Sequence, residues 1–302
     1  MLQRSYSLYL AAVLIWGSTF FAIRFQVGTV DAQVSVAWRF ALAALILFGW
    51  CRLRGLPLRF SPRQHLWMAL QGLMLFCINY ILVYWATTRL TSGLIAVIFS
   101  TIVLMNIVNS ALFLRSRVQP SMIVGALFGL AGIALIFRPE LMDLNLKSSS
   151  LTGMGLALAG TWVASLGNTL SARNQLNGLP VIQSNAWGMA YASVLLLLAL
   201  AVQGIPLAIP TTPSYLLALL YLALFGSVLA FGAYLTLVGR IGPEKAAYTM
   251  VLFPIVALGI STLFEDYHWQ LDSALGVALV LLGNVIIILP RRLLRRLWAT
   301  TG

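Results

Sequence analysis

Long apolar runs divided by short polar breaks set the pattern of this 302-residue chain. A helix that crosses a bilayer needs about 20 mostly apolar residues. Ten stretches approach that length: 6–25, 33–51, 66–87, 93–113, 120–137, 151–170, 181–203, 214–237, 244–264 and 273–290. Turn chemistry falls between them, as in Gly55-Leu-Pro57, Ser61-Pro62, Gly178-Leu-Pro180, Gly204-Ile-Pro206 and Gly242-Pro243. The pattern predicts an all-α integral membrane protein of ten transmembrane helices with almost nothing outside the bilayer. Several runs are short or glycine-rich, which suits close packing through small residues.

The pattern is written twice. Leu90 to Phe137 aligns without a gap on Ile241 to Ile288, 151 residues further on. Ala96 meets Ala247, Ser110-Ala-Leu-Phe113 meets Ser261-Thr-Leu-Phe264, and Gly125 and Gly132 meet Gly276 and Gly283. The chain therefore divides into a first repeat, residues 1–147, and a second, residues 148–302, with a basic tail. Five spans per repeat is an odd number, so the copies lie in opposite orientation. Two inverted five-helix repeats around a central cavity are a transporter device, with the substrate near the midplane and access exchanged by rocking.

Composition agrees: 61% of residues are hydrophobic and only 9% charged, against about 25% charged in a soluble domain. The net charge of +12 would suggest nucleic acid in a soluble protein. Here the basic residues sit between and after apolar runs, so the partner is the lipid bilayer and no nucleic acid is expected. With the N-terminus inside, the cytoplasmic connections hold 14 of the 19 Lys and Arg, and six of the seven acids fall outside. That bias places both termini in the cytoplasm, and a bacterial-type inner membrane is the expected location. The first run shows no small-residue cleavage pattern and reads as a retained span. Arg291, Arg292, Arg295 and Arg296 follow the last span and suit anionic headgroups. A monomer is expected, because duplication supplies within one chain what a dimer would.

Polar groups inside spans are costly unless they face the bundle or water, which makes them site candidates. The substrate-binding candidates are Trp16, Thr19, Asn79, Tyr80, Tyr84, Phe99, Thr101, Trp162, Asn168 and Tyr248. Amides and phenols can bind an ammonium and a carboxylate, and aromatic faces can hold a cation or stack on a ring. Plainer roles compete: an interfacial belt for Tyr84, helix-to-helix bonding for Asn79, and bonds to their own backbone for the hydroxyl residues. Trp16 and Trp162 are the stronger candidates because both lie inside their spans.

No Asp, Glu or His falls at the midplane; Glu265 and His268 lie near the outer face. Uniport is therefore favoured over proton antiport. Arg39 stands towards the outer end, so an uncharged cavity suited to a zwitterion is expected. Cys51 and Cys77 suggest neither disulfide nor metal, and no cofactor is implied. An intramembrane lipid-modifying enzyme would need clustered acids for Mg²⁺, and only Glu265-Asp266 are adjacent.

Trp16-Gly-Ser-Thr-Phe-Phe-Ala-Ile23 in the first span and Trp162-Val-Ala-Ser-Leu-Gly-Asn168 in the sixth stand in matching places, as do Trp38-Arg-Phe40 and Trp187-Gly-Met189. With the repeat, this layout resembles the drug/metabolite transporter superfamily in its ten-span form with two EamA-type repeats. Within it, the chain looks most like the YddG-type exporters of aromatic and other amino acids. The resemblance implies a basket of spans 1–4 and 6–9 with spans 5 and 10 outside, and facilitative amino-acid export by alternating access. Proton-coupled export of other metabolites or drugs is the alternative. Pro254 and Glu265 fit the family, whereas their counterparts Val103 and Leu114 do not; Pro254 and Gly242 are the conformational candidates.

Overall fold

Ten helical segments carry almost all the described residues of the computed structural model, which are 2–114, 120–136, 138, 149–234 and 249–288. They are α1 (Leu2–Arg24), α2 (Ala32–Leu53), α3 (Pro62–Thr87), α4 (Ser92–Phe113), α5 (Pro120–Ile136), α6 (Ser149–Leu176), α7 (Val181–Gln203), α8 (Pro213–Tyr234), α9 (Thr249–Phe264) and α10 (Leu271–Ile288). Among the described residues six helices, α1 to α4, α7 and α8, are long and apolar enough to cross a membrane. Shorter apolar helices form α5 and most of α9 and α10.

Local chemistry sets the ends. Ser61 and Gln64 make a reciprocal capping box in front of α3, with Pro62 in its first turn. Gly204 closes α7 in the left-handed region, φ 68°, and its N–H bonds back to the Leu200 and Ala201 carbonyls. Two helices are irregular in the middle. Residues Leu73–Ile78 of α3 and Leu222–Leu229 of α8 widen into π-helix, a form often found at functional sites. In addition, α4 turns at Thr101, between Ser92–Ser100 and the part that starts at Ile102.

Apolar lipid tails supply no hydrophobic drive for helix association, so packing must do it. The glycines seven apart in each repeat show how. A methyl group on Gly132 would lie 2.5 Å from the Gly276 carbonyl oxygen, and one on Gly283 would lie 2.5 Å from that of Gly125. Thus α5 and α10 cross antiparallel with backbones in contact, the earlier glycine of one against the later glycine of the other. Elsewhere α2 packs on α7, α3 and α4 on α6, and α8 and α9 on α1. The last two pairs are the counterparts of the two before them, so the array reads as two related halves.

Candidate functional site

A cavity runs between α1, α3, α4, α6, α8 and α9, with Asn185 of α7 also in its lining. Six of the candidates line it: Trp16, Thr19, Asn79, Tyr80, Phe99 and Asn168. One wall is aromatic. The Trp16 ring meets Phe231 edge-on at 5.3 Å and Tyr234 at 5.2 Å, and its Nε1 donates to the Gly226 carbonyl at 3.4 Å. A second group joins Phe20 to Phe99 at 5.7 Å and to Phe253 at 5.9 Å.

The polar lining is amide-rich. Asn79 donates through Nδ2 to the Leu75 carbonyl at 3.1 Å. Its Oδ1 is buried without a hydrogen-bond partner among the described residues. Asn168 donates to Asn106 Oδ1 at 3.4 Å. Asn185 accepts from Gln71 at 3.0 Å, and Gln71 in turn accepts from Asn174 at 2.9 Å. The Thr19 hydroxyl bonds back to the Trp16 carbonyl at 2.8 Å and leaves its methyl towards Gly226.

The remaining candidates lie elsewhere. Tyr84 is fully buried beside the cavity, not in an interfacial belt, and donates to Gln26 Oε1 at 2.6 Å. Thr101 is buried at the break in α4 and bonds back to the Ile98 carbonyl at 2.6 Å. Trp162 is 40% exposed on the outer side of α6, because its neighbours Thr161, Ala164 and Ser165 take the inner face. Pro254 is buried in α9 next to the cavity-lining Phe253. Tyr248 and Gly242 fall outside the described residues.

Arg39 departs most from expectation. It stands inside the bundle, 1% exposed, and not at its end. Its Nε donates to Ser227 Oγ at 3.1 Å, and its Nη2 reaches the Tyr80 hydroxyl at 3.5 Å. The guanidinium carbon lies 4.4 Å from the centre of the Tyr80 ring. Among the described residues the lining itself carries no charged side chain, as expected, but a cation sits one side chain behind it. The rule that flags polar groups within spans applies to Arg39 and to Asn185 as well. Phe231 and Tyr234 carried no such mark.

Just past the end of α9 stands Glu265, whose side chain is 0% exposed. Its carboxylate accepts from Arg24 Nη1 at 2.7 Å, from the Ser92 backbone N–H at 2.9 Å, from Ser92 Oγ at 2.6 Å and from Ser261 Oγ. Ser261 Oγ also accepts from the Gly93 N–H at 2.8 Å. This cluster joins α1, α4 and α9, and it sets an anion at the start of α4, where the helix dipole favours it. Burial opposes ionisation and would raise the carboxyl pKa, yet the bonds from Ser261, Ser92 and Arg24 outweigh it and hold it below its ordinary value.

The family model of the EamA-like transporter family matches residues 3–138 and again 146–289. The uncharacterized inner membrane transporter YedA of Escherichia coli K12 is 32% identical over 285 residues, covering 94% of this chain and 90% of YedA. Protein PagO of Salmonella typhimurium is 25% identical and covers 95% of this chain and 93% of its own. Protein PecM of Dickeya dadantii is 26% identical and covers 91% and 89%. A solved crystal structure with 16% identity superposes with a TM-score of 0.66, covering 94% of this chain and 97% of that one.

Proposed function

The chain belongs to the EamA-like transporter family, a multi-pass transporter of the inner membrane, and we propose that it exports neutral amino acids, aromatic ones among them, by facilitative alternating access. The cavity where the two halves meet is the substrate path. The observation that carries this reading is the pairing of an aromatic wall, Trp16 with Phe231 and Tyr234, with the unpartnered Asn79 carbonyl oxygen across the same cavity. A ring stacks on the wall, and an ammonium donates to the amide.

The Glu265 cluster is then the closed outer gate, and the cytoplasm lies at the opposite end. Rocking of one repeat against the other breaks this cluster and opens the outer side. Uniport is supported by the cavity lining, which contains no Asp, Glu or His among the described residues to carry a proton with the substrate. Proton-coupled export of other metabolites is the competing reading.

Uptake of labelled phenylalanine into liposomes holding only the purified protein tests the proposal, run with and without a pH gradient and repeated with Asn79→Ala. Saturable downhill flux that is indifferent to the gradient and at least about tenfold slower in the variant is the expected result. Uphill flux driven by the gradient and abolished by Glu265→Gln would overturn uniport. Absence of flux for every neutral amino acid would overturn the substrate class.

A further inference from the structure

A guanidinium buried without a counter-charge is expensive, because its hydration is lost and nothing ionic replaces it. Arg39 is in that position. Its partners are neutral: the Ser227 hydroxyl, the Tyr80 phenol, the neighbouring Tyr84 phenol and the ring faces of Tyr80 and Phe40. Its Nη1 has no hydrogen-bond partner among the described residues, and the ion pairs found among them do not include it.

The surroundings are shaped for the cation. Both π-helical segments converge on it: Tyr80 stands two residues after the one in α3, and Gly226 and Ser227 lie within the one in α8. A methyl group on Gly226 would lie 3.1 Å from Arg39 Nη2, so glycine leaves the room that the fork occupies. The matching place in α7 is Gly188, which shows that a helix can pack here without any cation. Tyr80 lines the cavity on one side and covers the guanidinium on the other.

We propose that Arg39 is the carboxylate-binding group of the substrate path, with Tyr80 lying over it as a cover that swings aside when substrate arrives. The missing counter-ion is the substrate's own carboxylate, received by the free Nη1 and by Nη2 in the two-pronged geometry that guanidinium and carboxylate share. This rests on reading the central cavity as the substrate path, but not on the substrate being an amino acid.

The test is ligand binding to the purified full chain, read by quenching of tryptophan fluorescence and by thermal stabilisation. Three probes share one ring: phenylalanine, 3-phenylpropionate, which lacks the amine, and phenethylamine, which lacks the carboxylate. In Arg39→Gln both carboxylate probes should bind at least about tenfold more weakly, while phenethylamine changes by less than about twofold. Arg39→Lys should recover part of the loss, because it keeps the charge without the fork. A loss shared equally by all three probes, or carboxylate binding unchanged in Arg39→Gln, overturns the proposal; so does failure of the native protein to bind either carboxylate. Binding of 3-phenylpropionate that depends on Arg39, without binding of phenylalanine, would overturn the amino-acid reading and leave this assignment standing.

Discussion

Two crossings that correspond between the repeats are built in opposite ways. Where α7 meets α3, glycine faces glycine, and a methyl group on Gly72 would lie 2.1 Å from the Gly188 carbonyl oxygen. Where α2 meets α8, Arg39 occupies the place of Gly188, and Gly226 faces it. The first crossing is backbone on backbone and has no room to change. The second is filled by a long side chain over a phenol ring, and those groups can rearrange without moving a helix. Duplication has left one crossing as a fixed joint and turned its counterpart into a place where a ligand can be received. The helix ends differ likewise, since Glu265 just past α9 corresponds to Leu114 in the first repeat.

The largest expected effect follows from the fixed joint. Gly72→Ala must drive α3 and α7 apart, because the obstruction is backbone, and should cost about 3 kcal/mol. Thermal unfolding of the purified protein checks this, and a melting temperature within a degree of the native value would contradict it. Glu265→Gln leaves four donors facing a neutral amide and should cost about 2 kcal/mol, with α4 and α9 labelling more readily at their Glu265 ends.

Gly226→Ala puts the same added methyl group at the second crossing. There the nearest atoms are side-chain ends, Thr19 Cγ2 at 2.8 Å and Arg39 Nη2 at 3.1 Å, which can yield, so the cost should fall to about 1 kcal/mol. Substrate affinity should suffer more than stability. If the two glycine variants melt alike, the contrast between the crossings is wrong.

The pH dependence of the gate has a definite sign. A carboxyl group whose folded pKa is lowered contributes stability above its unfolded pKa and loses it as pH falls through the folded value. The gate should therefore hold from neutrality down to about pH 5, and transport should show no acid limb from Glu265 above that. A titration near pH 6 that disappears in Glu265→Gln would contradict this. The smallest effect is predicted for Trp162→Leu on the outer face of α6: within about 0.5 kcal/mol and without change in flux.

Much of this was legible in the chain. The apolar runs marked the helices, and the glycine spacing of the repeat became the crossing of α5 and α10. What failed did so for a common reason. A helix that is apolar all round carries no record of which side faces its neighbours, so Trp162 looked like lining and Phe231 and Tyr234 did not. Position along the run likewise says nothing of burial at Arg39, which stands towards one end of α2 and is 1% exposed. Seven residues into α2 is about 10 Å along the helix, enough to bury a side chain that points inward. Similarly, α6 runs on to Leu176, past the apolar stretch, because Asn174 finds Gln71 inside the bundle.

The central claim is that substrate passes through the cavity between the halves, and filling that space tests it most directly. Ala164 lines the cavity and is 0% exposed, so Ala164→Phe places a ring where substrate must go. Flux of labelled phenylalanine into liposomes should fall at least about tenfold, while gel filtration shows the same monodisperse protein. Flux at the native rate in a folded Ala164→Phe protein would mean that substrate takes another route.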